Sequence, residues 1–272
     1  MIEQLVDDIR SRQAMLFVGA GVSATLGLPS WQELIDEMAT QLDYDPRVFS
    51  KNGGYLELAE YYQIQKATLG PLRSWMDRKW HGDETKADGS PVHQAIVDLG
   101  FPIIYTTNYD RWLEIAHSRR SKPFTKVANV GDFTRIRDGV AQIVKLHGDF
   151  DGDDSLVLTE TSYFDRLTFD SPLDIKLRSD AIGKAILFVG YSLSDINVRY
   201  LLYKLYRLWS DSPFATARPR SYVFLARPNP VQEAILARRG IQSIVSEVDD
   251  PGVGLQGFME GLVHAVRDGR PS

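Results

Sequence analysis

Apolar and polar positions follow two rhythms along this chain, and their order predicts an α/β protein. Ile2, Leu5, Val6 and Ile9 recur at helical spacing, and residues 14–18 (AMLFV) then form an unbroken apolar run ending at a glycine-rich turn. From Ser30 the segment SWQELIDEMATQL carries Ser30 with Glu33 three residues on, a capping box that opens an amphipathic helix. Residues from about 41 to 90 keep a helical period rich in aromatics and close with the polar stretch HGDETKADGS, which predicts a small helical insertion. The alternation then resumes. PVHQAIVDLG, YDRWLEIAHS, DINVRYLLYKLYRLW, NPVQEAILARRG and GLQGFMEGLVHAV have helical period, while FPIIYTT, QIVKL, AILFVG, SYVFLA and IQSIVS have strand character. Apolar strands alternating with helices predict a parallel sheet covered on both faces, here one domain over 1–272 interrupted by the insertion.

Composition narrows the chemistry. Hydrophobic residues make up 43% and charged residues 25% of the 272, enough to bury a core. The absence of cysteine removes disulfides, thiolate nucleophiles and cysteine-based zinc sites, so neither zinc nor another metal is expected. A net charge of −5 argues against direct nucleic-acid binding. The acidic, amphipathic start lacks the build of a secretory signal, and no apolar run reaches the ~20 residues of a membrane helix, which predicts a cytoplasmic protein without a membrane partner.

In parallel sheets ligands sit beyond the carboxyl ends of the strands. Four polar clusters fall just there: Gly19-Ala20-Gly21-Val22-Ser23, Thr107-Asn108-Tyr109-Asp110, His147-Gly148-Asp149 and Gly190-Tyr191-Ser192-Leu193-Ser194-Asp195. Gly19 and Gly21, with Ala24 in the last place, fit a dinucleotide fingerprint and make the fold Rossmann-like; their amides would approach a pyrophosphate, and Ser23 could add a hydroxyl. The alternative is a turn built only for packing. His147 is the histidine at a strand end, where a pKa near the reference of ~6.5 would suit a general base. Asn108 offers donors and an acceptor for a ribose hydroxyl or a water. Both side chains are expected at the pocket edge rather than in the core. Asp110 is read either as a carboxamide ligand or as an ordinary helix cap. Gly190 and Ser192 are candidate ligand contacts, whereas Ser194 and Asp195 read as caps. The helix from Ile196 to Trp209, with three tyrosines, leaves little polar face and predicts burial against another surface, hence an oligomer.

Taken together the four clusters resemble the Sir2 (sirtuin) family, more closely its SIR2-like branch in bacterial antiphage defence proteins. GAGVSATLGLPSW is similar to that family's GAGxSxxxGIPxFR, TTNYD to its QNID, LHG to its catalytic HG and FVGYSLSD to its GTSL segment, in the same order. The resemblance implies that Gly19 to Ser23 and Ser192 hold phosphates and adenosine ribose. It further implies that Asn108 positions the nicotinamide ribose or attacking water, that Asp110 binds the carboxamide and that His147 is the base. Two departures count against protein deacylation: the four-cysteine zinc module is missing, and Trp31-Gln32 replace the Phe-Arg pair. The implied activity is therefore hydrolysis of NAD+ to nicotinamide and ADP-ribose, as an antiphage effector that depletes NAD+. A HerA-like ATPase or an Argonaute is the implied kind of partner. The competing readings are a non-catalytic NAD or ADP-ribose sensor, a deacylase, and an oxidoreductase with Asp36 or Glu37 as the ribose-binding acid; the last leaves TTNYD and LHG unexplained.

Overall fold

The computed structural model describes residues 2–28, 30–152, 155–191, 196–210 and 212–269. Its strands are β1 (Ala14–Val18), β2 (Ile103–Thr106), β3 (Phe124–Val127), β4 (Ala141–Lys145), β5 (Ala185–Val189), β6 (Ser221–Leu225) and β7 (Ile241–Val245). They form one sheet in the order β3-β4-β2-β1-β5-β6-β7, and every neighbouring pair is parallel. The chain builds outward from β1 to one edge, then returns to lay β5 on the other side of β1, creating a topological switch point between them.

Both faces of the sheet are covered, which is why its central strands are buried at every position and largely apolar. On one face Leu16, Val18, Ile104 and Leu187 pack with the helices Ile2–Arg10, Pro91–Leu99 and Pro251–Asp268. On the other, Met15, Phe17, Val144 and Phe188 pack with Pro172–Gly183, Ile196–Ser210 and Pro230–Arg238. A third cluster joins the helices Trp31–Gln41, Tyr55–Lys66 and Gly70–His81 through Ile35, Met38, Leu58, Tyr62 and Met76, and takes in Phe150, Leu156 and Leu158 from beyond β4. Helix limits follow local chemistry. Ser30 and Glu33 form the expected capping box, with Glu33 accepting from Ser30 N at 2.7 Å; Asp250 caps the last helix by accepting from Gly252 N and Val253 N at 2.9 Å.

Several elements differ from the sequence expectation. The edge strand β3 was not foreseen, because three of its four residues are only partly buried and FTKV shows no apolar run. The helices Glu160–Arg166 and Pro172–Gly183 fill the stretch between β4 and β5 that showed no clear rhythm. The glycine turn after β1 is itself the start of a short helix, Ala20–Ala24. The helix Ile196–Ser210 is not apolar all round. Val198, Leu201, Leu202 and Leu205 face the sheet, while Arg199, Tyr203 and Arg207 are exposed at four-residue intervals and make a wet stripe. Among the described residues no helix is long and apolar enough to cross a membrane.

Candidate functional site

Because every strand points the same way, the loops after β4, β2, β1 and β5 emerge side by side on one edge, and the four polar clusters meet there. The closest meeting is between the loops of β1 and β5. Gly19 N donates to Val189 O at 2.9 Å and Gly21 N to Gly190 O at 2.9 Å. A Cβ on Gly19 would lie 2.6 Å from Gly190 O, and one on Gly190 would lie 2.8 Å from both Gly19 O and Val22 N. Gly190 also has φ +74, a conformation that favours glycine. These glycines therefore seal the switch point, and the Gly21 amide is already engaged.

Asn108 ties β2 to the same loop. Its Nδ2 donates to Gly19 O at 3.2 Å and to Ser23 Oγ at 3.3 Å. Its backbone N donates to Thr106 Oγ1 at 3.0 Å, and that hydroxyl donates to Val18 O at 2.9 Å. Asn108 and Ser23 are both buried, with Ala20 and Gly21 exposed beside them. No described residue donates a hydrogen bond to Asn108 Oδ1, which leaves the acceptor half of the carboxamide for a ligand.

Tyr191 was not singled out from the sequence, yet it lies across this edge. Its hydroxyl donates to Val18 O at 2.9 Å and sits 3.0 Å from Thr107 Oγ1. Its ring packs 5.6 Å from that of Phe17 and covers Gly19, where an added Cβ would come within 2.9 Å of Cδ1. This side chain covers the Gly19 end of the glycine loop and leaves Ala20 and Gly21 exposed.

His147 follows β4 and lines a narrow cavity with Thr107, Arg166, Phe169, Tyr200 and Leu201. It is 4% exposed, so the expected pocket-edge placement is corrected, for Asn108 as well as for His147: both are buried. Burial, reinforced by the Arg166 guanidinium, pushes the His147 imidazole down to about 3, well below the value expected of a solvated histidine. It is neutral at physiological pH and a weak base in these surroundings. Gly148 has φ +87, and a Cβ on it would come 1.8 Å from Ser155 O, so the returning chain requires glycine after the histidine. That return is pinned by Val157 N, which donates to His147 O at 2.9 Å.

Asp110 is 4% exposed and its Oδ1 accepts from Trp112 N at 3.1 Å, an Asx-type turn one residue ahead of Arg111, the N-cap of the helix Trp112–Arg119. Gly190 takes its place at the switch point; Ser192, Ser194 and Asp195 lie outside the described residues. Two charged residues escaped the sequence reading. Arg166 is locked on Asp174 by two hydrogen bonds of 2.9 and 2.6 Å. Lys145, at the end of β4, is fully buried. The sequence signal for it was a lysine directly after the apolar pair Ile143-Val144 of a strand. Among the described residues no group of three or more histidines or carboxylates is arranged to hold a metal ion.

The model of the SIR2-like domain matches residues 102–244. A curated relative named NAD(+) hydrolase ThsA, from Acinetobacter baumannii, is 27% identical over 206 residues, covering 75% of this chain and 42% of the relative. A protein of the same name from Enterococcus faecium is 29% identical over 205 residues, covering 74% and 42%. Defense-associated sirtuin 2 of Bacillus subtilis is 27% identical over 221 residues, covering 78% and 21%. The chain thus spans well under half the length of the curated relatives it matches.

Proposed function

This chain belongs to the SIR2-like domain family, and on that premise we propose that it binds NAD+ over the ends of β1, β2, β4 and β5 and hydrolyses it to nicotinamide and ADP-ribose. The observation that carries the reading is the Asn108 carboxamide, bonded to Gly19 O and Ser23 Oγ, because it joins the glycine loop to the TTNYD segment in one contact. Relatives that match three quarters of the chain are named NAD(+) hydrolases, which supports the same reaction. In this proposal Gly19, Ala20, Gly21, Ser23, Gly190 and Ser192 hold the phosphates and adenosine ribose. Asn108 holds the nicotinamide ribose or the water, and Asp110 receives the carboxamide. Loss of nicotinamide passes through an oxocarbenium-like state that the fixed dipole of Asn108 stabilises. His147 takes the proton from ribose or water once the site opens and its imidazole is rehydrated.

We also place the helices between 41 and 90 as an insertion in a single NAD-binding domain. The relative named as a defence-associated sirtuin supports an antiphage role. An assembled state is proposed on a different ground from the tyrosine-rich helix: Ile175 and Ile182 are exposed a heptad apart on the helix Pro172–Gly183.

A second reading, an NAD+ or ADP-ribose sensor without turnover, takes support from the weak basicity of His147. Incubation of the pure chain with NAD+ separates the two. Free nicotinamide and ADP-ribose in equal amounts are expected from the hydrolase; NAD+ recovered intact from a saturable complex would replace it with the sensor.

A further inference from the structure

Lys145 is the last residue of β4 and has no exposed surface. Its Nζ lies within hydrogen-bond distance of four oxygens: Tyr109 O at 2.9 Å, Asp110 O at 2.7 Å, Glu114 Oε1 at 3.0 Å and Asp149 Oδ1 at 3.0 Å. The two carbonyls belong to the residues directly after Asn108. Asp149 stands two residues after His147, and its Oδ1 also accepts from Phe150 N at 2.8 Å. A single ammonium therefore joins the segment leaving β2 to the segment leaving β4.

The electrostatics suit a clamp. Burial works against the ammonium, but Glu114, Asp149 and Asp110 outweigh it and hold Lys145 above the usual lysine range. Asp149 is pulled below the usual carboxylate range, Lys145 and Lys126 together overcoming its burial. Lys126 bonds Asp149 Oδ2 from the far side, so Asp149 keeps a cation of its own. Glu114 does not: its Oε2 is buried with no described partner, and Lys145 is the cation on its Oε1. A buried ion pair contributes little net stability compared with apolar side chains of the same volume, and its best-attested use is to impose one geometry.

We propose that Lys145 is a positioning residue of the NAD+ site, holding the backbone after Asn108 and the loop after His147 in the mutual arrangement that hydrolysis requires. The proposal rests on the hydrolase reading above. Lys145 touches neither substrate nor reacting atoms; it acts through the two segments it bridges.

The test uses Lys145→Met and the double variant Lys145→Met/Glu114→Gln in the full chain. The single change strands the Glu114 carboxylate, and the double change removes that charge while Asp149 remains paired with Lys126, so the double variant preserves folding if the single one does not. With folding checked by near-UV circular dichroism, the expected result is a fall in kcat of about 30-fold or more with KM within about threefold, the pattern of an interaction needed in the transition state. Restored thermal stability in the double variant without restored kcat would separate positioning from stability. A folded double variant with kcat within twofold of wild type overturns the proposal, as does a rise in KM at unchanged kcat. Should the wild-type chain turn over no NAD+, the hydrolase reading falls on its own. The clamp is then read by hydrogen exchange at the amides of Asn108 and Val157: faster exchange in the double variant supports it, and unchanged exchange overturns it.

Discussion

The amide of Gly21 donates to the carbonyl oxygen of Gly190 across 2.9 Å, and this contact closes the switch point at which β1 and β5 diverge. Both loops depend on it. Gly190 combines φ +74 with a Cβ position 2.8 Å from two backbone atoms, whereas Gly27 has φ +75 and open space around it. Gly27→Ala is expected to lose only about 1 kcal/mol, the cost of the left-handed backbone. Gly190→Ala adds a collision with backbone and is expected to lose about 3 kcal/mol or more, together with NAD+ turnover. Thermal melts of the two variants side by side check this; equal losses would show that the close approach is unimportant.

Asn108→Ala and His147→Ala are expected to lower NAD+ hydrolysis by at least about 100-fold, the scale of a lost general base or a lost transition-state dipole. Burial changes the expectation for stability. Asn108→Ala strips Ser23 Oγ of its Asn108 donor and leaves Gly19 O with Val22 N alone, so the variant should also lose about 1–2 kcal/mol. Steady-state assays with calorimetry on the same samples measure both quantities, and a variant with wild-type turnover would remove that residue from the chemistry.

Tyr191 covers the glycine loop through its hydrogen bond to Val18 O and its ring over Gly19. In the proposed binding mode this ring gives way when NAD+ settles on the loop. Tyr191→Ala is accordingly expected to lower KM for NAD+ about three- to tenfold, by removing the cost of displacing the ring. A raised KM would show instead that the ring is a ligand contact.

Burial pushes three histidines, His93, His117 and His147, below the usual imidazole range, and this makes stability depend on pH; two of them lie far below it. Burial holds His93 down at about 4, the Asp110 carboxylate opposing only in part, and His147 lies at about 3. In the unfolded chain both titrate near ~6.5. Between these values the unfolded state binds more protons than the folded one, so stability falls as pH drops from about 6.5 toward 4, each histidine steepening the slope by up to about 1.4 kcal/mol per pH unit. Urea melts at pH 7, 6, 5 and 4 should show the loss, and His93→Gln should flatten the curve. A His93→Gln curve parallel to that of wild type would contradict the assignment of His93 to this loss.

The central strands were legible because a parallel sheet covered on both faces buries nearly every side chain, and AMLFV, AILFV and SYVFL are largely apolar and buried throughout. The strand ends were legible for the complementary reason that polar residues and glycines collect where the chain leaves the sheet. At the edge the signal fades: FTKV pairs on one side only, keeps partly exposed side chains, and reads as loop. Which strand-end residues touch was beyond the sequence, since Asn108 meets Gly19 across 89 residues and Tyr191 meets Val18 across 173. Charge was the least legible property. A lysine at the end of a strand argues against burial until Glu114, Asp149 and two carbonyls converge on it. The protonation state of His147 likewise depends on the desolvation supplied by its surroundings and on the field of Arg166. Side-chain type and periodicity are local and suffice for strands, helices and the polar edge; hydrogen-bond partners, desolvation and the field of distant charges exist only once the sheet has brought those segments together.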